Sequence, residues 1–204
     1  FASLSDKEKD EAEIVLRSFA KYASVPIINM ESATAHPLQA LADAITIKEY
    51  QTPHKPKVVL SWAPHPKALP HAVGNSFTQM MGHMDADFII THPEGYALNP
   101  EITKGVEITT DQEKALEGAD FVYTKNWCSY DHYGQILKTD DQWMITPKKM
   151  QLTNNGKFMH CLPIRRNIVA ADGVLDSPNS LVIQQSKNRI YSAQAVLKQL
   201  LENG

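Results

Sequence analysis

The chain has 204 residues, 43% of them hydrophobic, enough to bury one core of generous size or one core and part of another. A formal net charge of −3 leaves no basic footprint and argues against nucleic acid as a partner. No apolar run approaches the roughly 20 residues that cross a bilayer, no secretory leader is visible, and Cys128 and Cys161 read as free thiols of a reducing cytoplasm.

The chain opens at Phe1 rather than methionine, so a piece of a longer protein is expected. The stretch "DKEKDEAEIVLRSFAKYA" has the look of a helix, and "VPIINM" (Val25 to Met30) that of a short strand. "HPLQALADAITIKEY" predicts a helix with Pro37 in its first turn and Leu38, Leu41, Ala42 and Ile45 on one face. The proline-rich "TPHKPK" marks a domain boundary. Strand "KVVLSW" follows, then a helix around "AVGNSFTQMMGHM", strand "DFIITH", the short strand "VEITT", helix "DQEKALEGA" and strand "DFVYTKNW". "TPKKMQLT" suggests a helical turn before strand "KFMHCLP". The tail "NRIYSAQAVLKQLLENG" predicts an amphipathic helix, with Ile190, Ala193, Leu197, Leu200 and Leu201 along one stripe.

Strands alternating with helices predict an α/β fold, a doubly wound parallel sheet with crossover helices. Ligands of such sheets sit beyond the carboxyl ends of the strands. Unusual polar residues collect there: Trp62 to His65, His92 to Glu94, Lys125 to Trp127, and His160 to Arg166. The nine glycines never form G-x-G-x-x-G or a phosphate-binding G-x-x-x-x-G-K-[ST], which disfavours a nicotinamide or ATP site. The eight histidines lack H-E-x-x-H spacing, so no metal is expected; His65 and His92, at strand ends, are the better functional candidates.

In "FMHCLPIRRN", His160 and Cys161 are neighbours in a strand, so their side chains should point to opposite faces, which weakens a cysteine–histidine nucleophile. An anion site is the stronger reading, because strand-end amides and the forked donors of Arg165 and Arg166 suit phosphate or carboxylate. The rival reading makes both arginines solvated surface charges, and for Arg166 it is the favoured one. In "ESATAHPLQ", His36-Pro37 opens a helix whose free amides attract negative charge, and Gln39 lies near His36 on the same face.

Together these motifs resemble the aspartate/ornithine transcarbamylase superfamily. Its "HPxQ" is similar to His36-Pro37-Leu38-Gln39, its "HCLP" to His160-Cys161-Leu162-Pro163, and its late arginine to Arg189 in "SKNRIYSA". The resemblance covers the whole chain but not the family's S-x-R-T-R motif, so most of the first domain is expected upstream. It implies that residues 1–33 end the carbamoyl phosphate domain, 34–50 form a connecting helix, 55–182 form an acylornithine-binding domain, and 187–204 a C-terminal helix packing back toward the first domain. It further implies carbamoyl phosphate contacts from His36, Gln39, Cys161, Leu162 and Arg189, with the backbone carbonyl of Leu162 orienting the attacking amine. No metal, cofactor or covalent intermediate is implied, and a cytoplasmic homotrimer is.

The ornithine enzymes carry an aspartate in "Y-T-D-x-W" and a nearby S-M-G loop, whereas this chain has Lys125 in "YTKNW" and no S-M-G. A cation there should repel an ammonium and welcome a carboxylate, and "WAPHP" (Trp62 to Pro66) resembles the N-acylornithine branch. By the resemblance Glu31, His65, Lys125, Leu162 and Arg165 contact the acylornithine. The acetyl enzymes of that branch carry a carbamate-modified lysine two residues beyond "RRN", where this chain has Val169. The expected amine is therefore N-succinyl-L-ornithine, with N-acetyl-L-ornithine the alternative. A non-catalytic paralogue that only binds ligands is the rival from another class, and a dehydrogenase a distant third.

Overall fold

Five short apolar runs pair into one all-parallel sheet in a computed structural model that describes residues 3–137 and 141–203. The strands are β1 (Lys57–Trp62), β2 (Asp87–Thr91), β3 (Glu107–Thr109), β4 (Phe121–Lys125) and β5 (Lys157–Met159), in the order β3-β2-β1-β4-β5. The chain runs outward from β1 to β3, then returns to place β4 on the other side of β1. The β1/β4 pair is therefore the topological switch point, with Ser61 opposite Thr124 and Trp62 opposite Lys125.

Both faces of the sheet are covered, which is why the strands read as continuous apolar runs. Val58, Leu60, Trp62, Phe121, Tyr123 and Met159 face one layer, where they meet Ile47 of α3 (Pro37–Tyr50) and Val73, Phe77 and Met81 of α4 (Ala72–Met81). The alternate residues Val59, Val122 and Phe158 face the other, against Leu116 of α6 (Gln112–Leu116), following the short α5 (Pro100–Thr103), and Val174 and Leu175 of α8 (Asp172–Leu175). Between these last, α7 (Pro147–Met150) lends Met150. The doubly wound α/β expectation holds, and the strands lie where the residue patterns place them.

Three expectations need correction. Val25–Met30 is irregular rather than a strand: no described residue pairs with it, and Val25 and Met30 are exposed, so its backbone groups have no ladder to join. The first helix is two, α1 (Lys7–Glu11) and α2 (Ile14–Tyr22), broken at Glu13, whose backbone is left-handed at φ 51°. The break turns the Glu13 carboxylate toward the loop before α3. There it accepts from Ser32 Oγ at 2.7 Å and Thr34 N at 2.8 Å.

The C-terminal helix α9 starts at Val182, earlier than its apolar stripe suggested, and runs to Asn203. Its buried side is polar. Gln185, Asn188 and Ser192 are fully buried, with Gln185 and Asn188 bonded to Asp43 and Thr46 of α3, while Ile190, Leu197, Leu200 and Leu201 are exposed.

Candidate active site

His36 is the N-cap of α3, and Pro37 at the first helical position leaves the cap's geometry free of an orphan donor. Its backbone N–H donates to Ser76 Oγ at 2.8 Å, which ties the start of α3 to α4. Burial, then the nearby Arg189 and Lys125 cations, push the imidazole down to about 4, so it is neutral at pH 7. Glu31 Oε2 stands 3.9 Å from its Nε2, too weak a contact to charge the ring.

Gln39, one helical turn on, is buried and held at both ends of its amide. Nε2 donates to Asp43 Oδ1 at 2.6 Å, and Oε1 accepts from Arg189 Nη1 at 2.8 Å. Arg189 Nη1 also lies 3.4 Å from His36 Nε2. Helices α3 and α9 thus bring His36, Gln39 and Arg189 into one group, although 150 residues separate Gln39 from Arg189.

The strand ends supply the rest. Asn126 Nδ2 donates to the Ala63 carbonyl at 2.7 Å and Ala63 N to the Lys125 carbonyl, locking the turn after β1 against the end of β4. That turn delivers His65. Arg165 Nε donates to His65 Nε2 at 3.2 Å, and His65 Nδ1 lies 2.9 Å from the Lys67 carbonyl and 3.1 Å from the Lys67 N–H. Burial and then the surrounding cations Arg165, Lys125 and Lys67 lower its pKa against the contrary pull of the Lys67 carbonyl.

Beyond β5, His160 and Cys161 part as the alternation predicts. His160 is buried, its N–H donates to Gln185 Oε1 at 2.9 Å, and its Nδ1 accepts from Leu162 N at 2.9 Å. Burial holds it down to about 3, so it is a neutral acceptor that closes its own turn. Cys161 is half-buried against the core, and desolvation raises its thiol, which leaves little thiolate to act as a nucleophile. Leu162 is left-handed at φ 51° and precedes a cis peptide to Pro163.

Lys125, half-buried at the end of β4, stands in the middle of these groups. Its charge helps depress His36, His65 and His160 and opposes the rise of Cys161. It forms no ion pair among the described residues. The switch point therefore gathers Lys125, which has no ion pair among the described residues, a His65-linked guanidinium, Arg165, and a Gln39-linked one, Arg189, around neutral imidazoles. Such an arrangement binds anions and stabilises negative charge that develops in a reaction.

Eight of the nine candidate residues fall at this end of the sheet or on the helices that border it, and Glu31 lies in the loop that leads into α3. Two others do not join. Arg166 pairs on the surface with Asp172 and Asp176 at 2.7 and 2.6 Å, a staple of the loop rather than a ligand donor or a solvated free charge. His92, at the end of β2, is buried with Nδ1 bonded to the Pro93 carbonyl. Val169 is packed in the interior at 2% exposure.

Asp43 and Gln185 escaped the sequence reading, though the i,i+4 spacing of Gln39 and Asp43 is a usable signal. Asp43 is fully buried, and desolvation, only partly offset by its glutamine donors, raises its carboxyl to about 7. The Tyr123 hydroxyl stands close by without a hydrogen bond of ordinary geometry. A carboxyl raised from 3.8 adds stability that is complete below pH 4 and is lost as pH rises through about 7. Asp43→Asn, neutral throughout, should therefore gain on the native protein by on the order of 2–4 kcal/mol between pH 4 and pH 8. Denaturant melts at the two pH values test this, and a pH-independent difference would show Asp43 to titrate normally.

The fold and the arrangement of these residues are similar to those of transcarbamylases. The family description "Aspartate/ornithine carbamoyltransferase, Asp/Orn binding domain" matches residues 71–200, and "carbamoyl-P binding domain" matches residues 7–49. The chain belongs to the aspartate/ornithine carbamoyltransferase family. It is 51% identical over 205 residues to N-succinylornithine carbamoyltransferase of Bacteroides fragilis, covering 100% of this chain and 64% of that protein. It is 37% identical over 222 residues to N-acetylornithine carbamoyltransferase of Xanthomonas campestris, covering 98% and 65%. A crystal structure of acetylornithine transcarbamylase complexed with acetylcitrulline superposes with a TM-score of 0.89 at 37% identity, over 97% of this chain and 65% of that one. The chain thus spans about 64% of the length of the N-succinylornithine relatives it matches.

Proposed function

We propose that the protein containing this chain transfers the carbamoyl group of carbamoyl phosphate to the δ-amine of N-succinyl-L-ornithine, giving N-succinyl-L-citrulline and phosphate, as a step of arginine biosynthesis in the cytoplasm. The observation that carries the reading is the position of Lys125. Its charge bears both on His36 of the His36–Gln39–Arg189 group and on His65 of the His65–Arg165 pair, which supports one cation serving two anion-binding groups.

In this reading the δ-amine attacks the carbamoyl carbon, a tetrahedral oxyanion forms, and the bond to phosphate breaks as the amine proton is lost to the departing phosphate. His36, being neutral, donates a hydrogen bond to the carbamoyl oxygen without adding a charge that the ground state would already feel. Arg189 holds the phosphate, Gln39 the carbamoyl amide, and the Leu162 carbonyl orients the amine, while Cys161 is a wall of the site. Positioning and preorganised donors supply the rate. Glu31, His65, Lys125 and Arg165 hold the acylornithine, the last three facing the succinyl carboxylate. Interior packing of Val169 supports succinyl over acetyl, since that position offers no anion of its own.

Residues 1–33 then end the carbamoyl phosphate domain, 34–50 connect, 55–182 bind acylornithine, and the C-terminal helix returns toward the first domain in a homotrimer. No helix among the described residues is long and apolar enough to cross a membrane.

The test is the full-length gene product assayed with carbamoyl phosphate and N-succinyl-, N-acetyl- or free ornithine. A preference for the succinyl compound of at least about 100-fold is expected, the discrimination a buried charge partner provides. Preference for the acetyl compound would reassign the acyl group, and no ureido product from any of the three would leave a ligand-binding paralogue.

A further inference from the structure

A buried carboxylate that touches no substrate position sits behind both signature motifs. Asp43 Oδ1 accepts from Gln39 Nε2 at 2.6 Å and from Gln185 Nε2 at 2.7 Å, and all three residues are buried. A carboxyl oxygen facing two amides obliges both to offer their NH₂ ends. Their oxygens are thereby turned outward, Gln39 Oε1 to Arg189 Nη1 at 2.8 Å and Gln185 Oε1 to the His160 N–H at 2.9 Å. Rotating the Gln39 amide by half a turn would set donor against donor at Arg189 and acceptor against acceptor at Asp43.

Resting on the transcarbamylase reading above, we propose that Asp43 is the positioning residue of the site: it sets the amide polarity of Gln39 and Gln185, and through them fixes Arg189 and the end of β5 in register with each other. Packing alone does not call for an acid here. Enclosing a carboxyl group carries a desolvation cost that an apolar leucine, forked at the same carbon, would avoid. Among the described residues the other oxygen, Oδ2, makes no hydrogen bond of ordinary geometry, with only the Tyr123 hydroxyl close to the carboxyl, so the residue is held chiefly through Oδ1. The link also crosses the structure, because Gln39 and Asp43 lie on α3 and Gln185 on α9, 142 residues away.

The experiment uses the full-length protein. Asp43→Leu should lower kcat/KM for carbamoyl phosphate about 30-fold, the scale expected when a substrate contact is displaced by about an ångström. Asp43→Asn, which keeps an oxygen at the Oδ1 position, should recover most of that loss. In a Gln39→Leu background the Asp43→Leu change should cost less than about fivefold more, since its link to Arg189 through Gln39 is already gone and only the Gln185 link is left to lose. A full 30-fold loss in that background, or near-native kinetics of Asp43→Leu, would overturn the proposal in favour of simple glue between α3 and α9.

Should Asp43→Leu fail to fold, a polarity swap serves. Gln39→Glu sets two acids together and should be strongly impaired, and adding Asp43→Asn should restore at least about tenfold, because the amide can then donate to the new carboxylate. No restoration counts against positioning. If the native protein makes no ureido product at all, it is the functional reading that fails. Positioning is then judged from a crystal structure of Asp43→Leu, or of Asp43→Ala where leucine is not tolerated, in which Gln39 Oε1 should have left Arg189. An unchanged contact would refute it.

Discussion

Arg189→Ala in the full-length protein is expected to lower kcat/KM for carbamoyl phosphate by about 10³-fold, the scale of losing one preorganised donor from an anionic transition state. The guanidinium is half-buried, bonded through Nη1 to Gln39 and next to His36, and its Nε is buried with no hydrogen-bond partner among the described residues. Alanine removes those donors and the group that orients the outward end of Gln39. Arg189→Lys should recover little, because an ammonium cannot serve Gln39 and a phosphate together in one plane. The fold should change far less than the rate, since α9 keeps its Gln185 and Asn188 bonds to α3. Saturation kinetics beside thermal melts separate the two effects. A loss below tenfold would remove Arg189 from the phosphate site.

The central sheet was legible because parallel strands covered on both faces must be apolar throughout, as in "KVVLSW" and "DFVYTK". Reading polar residues at strand ends then led directly to His65, Lys125 and Cys161. What the pattern hid was polar burial. The face of α9 that packs on α3 is Gln185, Asn188 and Ser192, and hydropathy assigns such residues outward, so the helix start and the Asp43 network were both missed. Val25–Met30 failed for the opposite reason: an apolar run is a strand only where a neighbour completes its ladder. The Glu13 break was out of reach, because it depends on a contact with Ser32 and Thr34 some twenty residues away. The pairing of His65 with Arg165 likewise spans 100 residues and exists only once β1 and β5 share a sheet.

Lys125→Asp should abolish the use of N-succinylornithine, lowering kcat/KM by about 10³-fold or more, because a favourable charge contact becomes a repulsive one in a half-buried place. Two effects act together. The carboxylate of the substrate would meet an anion, and Lys125's contribution, which adds to burial in keeping His36, His65 and His160 neutral, would be reversed, letting their pKa values rise. Lys125→Met separates them: it removes the attraction without adding repulsion and should lose on the order of 10²-fold. The first effect concerns the acylornithine alone and the second the carbamoyl group as well, so KM for the amine should rise in both variants, whereas the pH profile of kcat should move most in the aspartate variant. Relative activity toward free ornithine, whose α-ammonium the lysine repels, should increase in both. Turnover of the succinyl compound near the native level in Lys125→Asp would mean that its carboxylate lies elsewhere, with Arg165 and His65 the next groups to change.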